Sequence, residues 1–357
     1  MDPYVFDDAL TGSRVTCEYP GLRALEAHSV PKAKPCRSLF FPGCSLINYG
    51  LPLVKSVYDL LRGAGEADGA SLLCCGKILA YEPDGARVRA AFEAQLVDRL
   101  AESGIERIVA ACPNCVKALR TCLEADARTA GIQVVPLPLV LAKLGYRIDA
   151  DTARAMLAAD LEAGWPDAAA AVKAGEPLRF MPHDSCPDRD TGEFARGLRE
   201  LMPPELLAEG AHNRKTSFCC GSLVRAQGKF EAADKQARRH GEEALKARAQ
   251  GIVTACVSCA YQLTAAQKAV PVYHYLELLY NWRIPWAAAD QYMKLRFLFD
   301  ESLGVVEAAG GDRPFVGLGG DGAAAGTAAG TDAGAAAGTG AGAGRAGAEA
   351  QEGGDAR

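Results

Sequence analysis

Ten of the thirteen cysteines in this 357-residue chain form two sets in the same order. The first set is Cys44, the adjacent pair Cys74-Cys75, and Cys112 with Cys115 in a C-x2-C. The second is Cys186, Cys219-Cys220, and Cys256 with Cys259. Between Cys44 and Cys74 lie 29 residues, and between Cys186 and Cys219 lie 32. Between Cys75 and Cys112 lie 36, and between Cys220 and Cys256 lie 35. A five-thiol pattern that recurs with its spacing kept is a strong sign of ligation. Thiolates are soft anionic ligands suited to zinc, copper(I) and iron–sulfur clusters. A disulfide within either adjacent pair would be strained. Neighbouring Cα atoms lie about 3.8 Å apart, short of the roughly 4.4 Å lower end usual for a disulfide.

The number of thiols matters more than the pairs. Structural zinc takes four ligands, and so does a common cubane cluster. Each half offers five, so a centre either uses five thiolates or keeps one redox-active thiol beside four ligands. Both thiols of an adjacent pair can face one centre only if the chain turns sharply, and Gly76 and Gly221 follow the pairs to permit it. Pro113 should stiffen the first C-x2-C by fixing one backbone angle.

The elements that must hold these residues are duplicated too. Phe40-Phe41-Pro42-Gly43-Cys44 is echoed by Phe180-Met181-Pro182 and Cys186, and Ile108 to Cys115 by Ile252 to Cys259. Val135 to Leu144 is echoed by Val270 to Leu279. Short apolar runs alternate with helical patterns. Ser38–Phe41 and Ile105–Ala111 read as strands, and Leu51–Arg62, Val88–Ser103 and Val116–Glu124 as helices. That alternation predicts an α/β fold with two small, mostly parallel sheets flanked by helices. The cysteines then fall where strands end and helices begin, the usual ligand edge of such sheets.

The expected division is an N-terminal extension (1–37), a first cysteine domain (38–145), a helical connector (146–177) and a second domain with a closing helix (178–305). In the closing helix Trp286, Met293, Leu295, Phe297 and Leu298 are expected to dock on a core. Residues 306–357, rich in Gly and Ala, are expected to be a disordered tail, since beyond about Gly319 the chain has nothing large to bury.

Taken together, the two sets resemble the CCG, or cysteine-rich, domain found in the disulfide-reducing subunit of heterodisulfide reductases. The domain also occurs in iron–sulfur subunits of glycolate, lactate and anaerobic glycerol-3-phosphate oxidoreductases. The resemblance spans about residues 38–300, with the first gap of 29 slightly short of the family's usual range. It implies a noncubane [4Fe-4S] cluster in each half. Cys44, Cys74, Cys75, Cys112 and Cys115 would hold one, and Cys186, Cys219, Cys220, Cys256 and Cys259 the other. Some relatives carry zinc or a different cluster in one half instead. In the heterodisulfide reductase relatives a disulfide is clamped between the clusters and reduced, one electron from each.

The chain lacks a C-x2-C-x2-C-x3-C-P ferredoxin run and a G-x-G-x-x-G turn after a strand. Electrons would therefore pass through a ferredoxin-like subunit and a flavoprotein subunit, with a membrane-bound partner as a further option. The leading expectation is a disulfide-reducing oxidoreductase subunit acting on a small disulfide or thiol. The alternatives are an electron relay for a flavin-dependent hydroxy-acid or glycerol-phosphate oxidoreductase and a zinc-stapled scaffold.

His183, three residues before Cys186, is the candidate catalytic residue. It would donate a hydrogen bond to a cluster sulfur or move a proton to a product thiol, and the bland alternative for it and for Asp184 is a turn. His274 is expected to pack or cap, and His28, His212 and His240 to lie on the surface. Lys77 has Ser222 at its second-half position, which argues against a shared role. Cys17, Cys36 and Cys122 read as packing or surface thiols. A net charge of -5 with no Lys/Arg block gives no footprint for nucleic acid. Met1 to Leu25 lacks a basic head followed by an apolar run, and the best apolar stretch, Ile132–Leu144, is short and broken by prolines. Those features predict a cytoplasmic chain.

Overall fold

The alternation of apolar runs with amphipathic segments folds as strands and covering helices. The computed structural model describes residues 3–19, 23–29, 35–81 and 84–286. The N-terminal extension contributes strands β1 (Tyr4–Asp8), β2 (Ser13–Glu18) and β3 (Arg23–Ser29). The first cysteine half follows with β4 (Ser38–Phe41), α1 (Cys44–Gly63), β5 (Gly69–Ala70), α2 (Gly85–Ser103), β6 (Arg107–Ala110), α3 (Pro113–Glu124), β7 (Gln133–Pro136) and α4 (Leu137–Lys143). The connector is α5 (Ala150–Gly164) and α6 (Pro166–Lys173). The second half is β8 (Phe180–His183), α7 (Glu193–Leu201), α8 (Ser222–Ala226), α9 (Phe230–Lys246), β9 (Gly251–Thr254), α10 (Val257–Ala266), β10 (Val272–His274) and α11 (Tyr275–Tyr280).

Two sheets result. The first has seven strands in the order β3-β2-β1-β5-β4-β6-β7, parallel from β1 to β7 with β2 antiparallel to both neighbours. The second has three parallel strands, β10-β9-β8. It lacks a strand equivalent to β5, and a single parallel bridge from Phe180 to Leu207 stands at that place. Central strands covered on both faces need apolar residues throughout, and Leu39, Phe40, Ile108, Val109, Ile252 and Val253 are all fully buried.

Two departures from the expected elements have local causes. Helix α1 starts at Cys44, seven residues before the expected Leu51, and is kinked at Gly50 ahead of Pro52. Proline removes a helix donor, and that interruption hid the first turns from periodicity. The Pro42/Pro182 echo also misaligns the halves by one residue. Register pairs Phe41 with Ala110 and His183 with Thr254, and Ala110 and Thr254 occupy matching places in the echoed strands. His183 is therefore the counterpart of Phe41.

The connector is docked. Asp160 in α5 accepts a hydrogen bond from the Tyr273 hydroxyl at 2.6 Å, and Trp165 donates to the Lys268 carbonyl at 2.7 Å. The halves themselves meet through Tyr49, which stacks on Tyr261 at 5.3 Å, and through the Ser45 and Ser258 hydroxyls, 2.8 Å apart. Trp286 packs on Tyr49 at 5.5 Å, and Trp282 to Ile284 is not helical. Met293, Leu295, Phe297, Leu298 and the Gly/Ala-rich tail lie outside the described residues. Among the described residues, no helix is long and apolar enough to cross a membrane.

Candidate metal centres

Each cysteine set collects at one edge of its sheet because parallel strands all end on the same side. Cys44 follows β4 and opens α1, while Cys112 follows β6 as the N-cap of α3, with Cys115 one turn on. Cys256 and Cys259 repeat this placement after β9 at the start of α10, and Cys186 follows β8. The adjacent pairs come from the segments after Ala70 and before α8. Gly76 (φ 73°) and Gly221 (φ 94°) take left-handed backbone there, as the required sharp turn predicts. Their N–H groups donate to the Sγ of Cys74 and Cys219, both at 3.4 Å.

The ten patterned cysteines gather into two groups. Cys44 and Cys74 Sγ are 3.9 Å apart, as are Cys186 and Cys219. Cys220 and Cys259 are 3.2 Å apart. Cys75 lies beside Cys115 and Cys74, and Cys112 beside Cys115 and, across the halves, Cys256. The two centres thus adjoin. A cavity of about 40 Å³ is lined by Cys44, Cys74, Cys75, Cys112 and Cys115 together with Leu223 and Ser258 of the second half.

Crowding sets the protonation. Hydrogen bonds from Cys115 and Cys74 hold Cys75 down to about 5 against burial. Bonds from Cys112 and Cys259 hold Cys256 down to about 5. Cys115 lowers Cys112, but the Cys256 thiol and burial outweigh it and push Cys112 up to about 12. Buried like charges cannot all ionise together, so a few thiolates are stabilised by neighbours that keep their protons. A metal group replaces those shared protons with positive charge, and a soft donor set of this kind suits zinc or an iron–sulfur cluster. Six of the ten cysteines are no more than 5% exposed. Gly43, with φ 79°, leaves a space in which a Cβ would lie 2.9 Å from Cys115 Sγ. The residues present fit a metal centre in each half.

The remaining cysteines behave as packing thiols. Cys17 is fully buried on β2, and burial alone pushes it up to about 12. Cys36 and Cys122 are half-buried, and each is pushed up to about 11, chiefly by burial.

His183 is 3% exposed, and a ring nitrogen lies within 4.8 Å of the Cys220 and Cys259 sulfurs. Burial, with the His240 ring beside it, holds its pKa well below the ordinary value. Asp184 braces the turn: Arg199 donates to both its oxygens at 2.8 and 2.9 Å, and the Arg214 amide donates at 2.7 Å. His274 caps α11 through its backbone, whose N–H donates to Glu277 at 2.6 Å. Lys77 borders the first cavity. His212 is exposed as expected, and the side chain of His28 lies outside the described residues.

His240 corrects its surface assignment. It is 2% exposed, stands 4.4 Å from the His183 ring in a T-shaped pair, and its Nε2 donates to the Cys219 carbonyl at 3.3 Å. Its position on the Ala233, Ala237, Ala244 face of α9 was the available signal. Asp8 had none. It is 2% exposed and accepts hydrogen bonds from the amides of Leu10 and Thr11, both at 2.9 Å, the Ser71 hydroxyl at 2.9 Å and the Leu72 amide at 2.6 Å. It ties the N-terminal strands to the segment leading into Cys74.

A family model described as CCG, cysteine-rich domain, matches residues 38–120 and 181–264. Similar solved structures include a glutamate racemase of Bacillus anthracis, at 12% identity over 72% of this chain and 80% of that one, TM-score 0.28. An aspartate racemase homologue of Pyrococcus horikoshii is 13% identical over 74% of this chain and 99% of that one, TM-score 0.28. Likeness at that level carries no argument about this site. A comparison with curated proteins finds no match.

Proposed function

Since a CCG cysteine-rich domain model matches the chain twice, we propose that it is the iron–sulfur subunit of a multi-subunit oxidoreductase that reduces a small disulfide, as the CCG subunit of heterodisulfide reductases does. The observation that carries this reading is the meeting of ten cysteines at adjoining sheet edges, with Cys112 against Cys256 across the halves. Two [4Fe-4S] groups of the noncubane kind, held by the ten cysteines, would supply one electron each to a two-electron acceptor. The chain's own part is to present both sets on one boundary, so that a disulfide can reach both centres. The Ser45–Ser258 contact and the Tyr49–Tyr261 stack fix the spacing of the halves. Low exposure of the sulfurs keeps water from them, which limits hydrolysis and stray oxidation.

Because the chain lacks a ferredoxin run and a nucleotide-binding turn, a ferredoxin-like subunit and a flavoprotein subunit complete the electron path in this proposal. Anaerobic purification should give a brown protein with about eight iron and about eight sulfide per chain. After oxidation, added thiol should change the paramagnetic spectrum. Iron–sulfur content without any thiol response, with a flavoprotein copurifying, would move the assignment to an electron relay. A colourless protein holding only stoichiometric zinc would overturn it.

A further inference from the structure

The two centres have different surroundings at one register position. Phe41 and His183 end the matching strands β4 and β8, opposite Ala110 and Thr254. Each is followed by two residues and then the first cysteine of its set, Cys44 or Cys186. Both side chains are buried, at 1% and 3% exposure. Phe41 brings no polar atom to the first centre. His183 brings an imidazole within 4.8 Å of the Cys220 and Cys259 sulfurs, and its Nε2 is buried with no hydrogen-bond partner among the described residues. A buried polar nitrogen in that state is costly and calls for an explanation. The His240 ring stands against it at 4.4 Å and is itself tied to the Cys219 carbonyl, so the imidazole is held facing the sulfurs.

We propose that His183 contacts the metal centre of the second half directly through its imidazole, and that this gives the second centre a higher reduction potential than the first. This rests on the iron–sulfur reading above. Reduction adds negative charge to a centre already ringed by thiolates. A neutral imidazole in contact with it, whether bound to iron or donating N–H to sulfur, stabilises the reduced form relative to an all-thiolate environment. Phe41 offers the first centre no such stabilisation. Electrons entering through either half therefore come to rest on the second, which makes the duplicated chain directional.

The test uses the full chain, purified anaerobically with its iron and labelled with 15N only in histidine. Two iron centres with separated midpoint potentials are expected, and histidine nitrogen coupling should appear in the paramagnetic signal of the higher-potential centre alone. In His183→Phe, which copies the first half, that coupling should vanish and the upper midpoint should shift down toward the lower one, at unchanged iron content. Absence of histidine coupling from both signals overturns the proposal, as does its presence on the lower-potential centre. Unchanged midpoints in His183→Phe overturn it too. If that variant does not fold, the labelled unaltered chain decides. Failure of the iron–sulfur reading itself is recognised separately, by iron and sulfide analysis, before any spectrum is taken.

Discussion

Gly43 joins β4 to α1 beside the first centre, and replacing it with alanine tests whether backbone geometry there sets the thiol positions. Its dihedrals, φ 79° and ψ 149°, lie where residues with a Cβ are strained, at a cost of about 1–3 kcal/mol. A methyl group would also sit 2.9 Å from Cys115 Sγ and 3.2 Å from Cys112 Cβ. Comfortable contacts between such atoms are roughly 3.5–4.0 Å, so the Cys115 sulfur must move by about half an ångström or more. Overpacking of that kind adds about 1–3 kcal/mol. Gly43→Ala should therefore lose about 2–6 kcal/mol in anaerobic denaturant unfolding of the metal-free protein. Gly192→Ala is the control. Gly192 has φ 65° with nothing within 4 Å of an added Cβ, and should lose only about 1–2 kcal/mol. In the loaded protein Gly43→Ala should lose iron from the first centre alone, because its second-half counterpart, Ser185, has ordinary extended backbone (φ -73°). Gly43→Ala no less stable than Gly192→Ala, with full iron content, would refute this account.

Three further outcomes follow from buried polar groups. Asp8→Ala strips the acceptor from three amides and the Ser71 hydroxyl; it should cost about 2–4 kcal/mol in denaturant unfolding, and Asp8→Asn less. Arg199→Met leaves the Asp184 carboxylate, 2% exposed, without its two-point partner, a loss of about 3–5 kcal/mol that Asp184→Asn in the same chain should partly restore. Burial holds His274 down to about 3 from its ordinary 6.5. The unfolded chain binds a proton between those values and the folded one does not, so stability is fully present above pH 6.5 and falls as pH drops through that window. By pH 5 the loss should reach about 2 kcal/mol; if the pH slope of unfolding between 6.5 and 5 is the same in His274→Gln, the burial argument fails.

The duplication, the ten cysteines and the left-handed glycines after each adjacent pair follow from the sequence alone, because ligand spacing and turn chemistry are local. So does the α/β class, since strand and helix periods differ within short windows. Other features depend on residues far apart in the chain. That Asp8 anchors the approach to Cys74 across 64 residues is invisible to any spacing rule. The contact of Cys112 with Cys256 depends on how two separately formed sheets pack. Strand register alone matched His183 to Phe41, because the Pro42/Pro182 echo pointed one residue away. Sequence names the thiols able to ligate, but packing decides their neighbours, and those neighbours differ between the two halves.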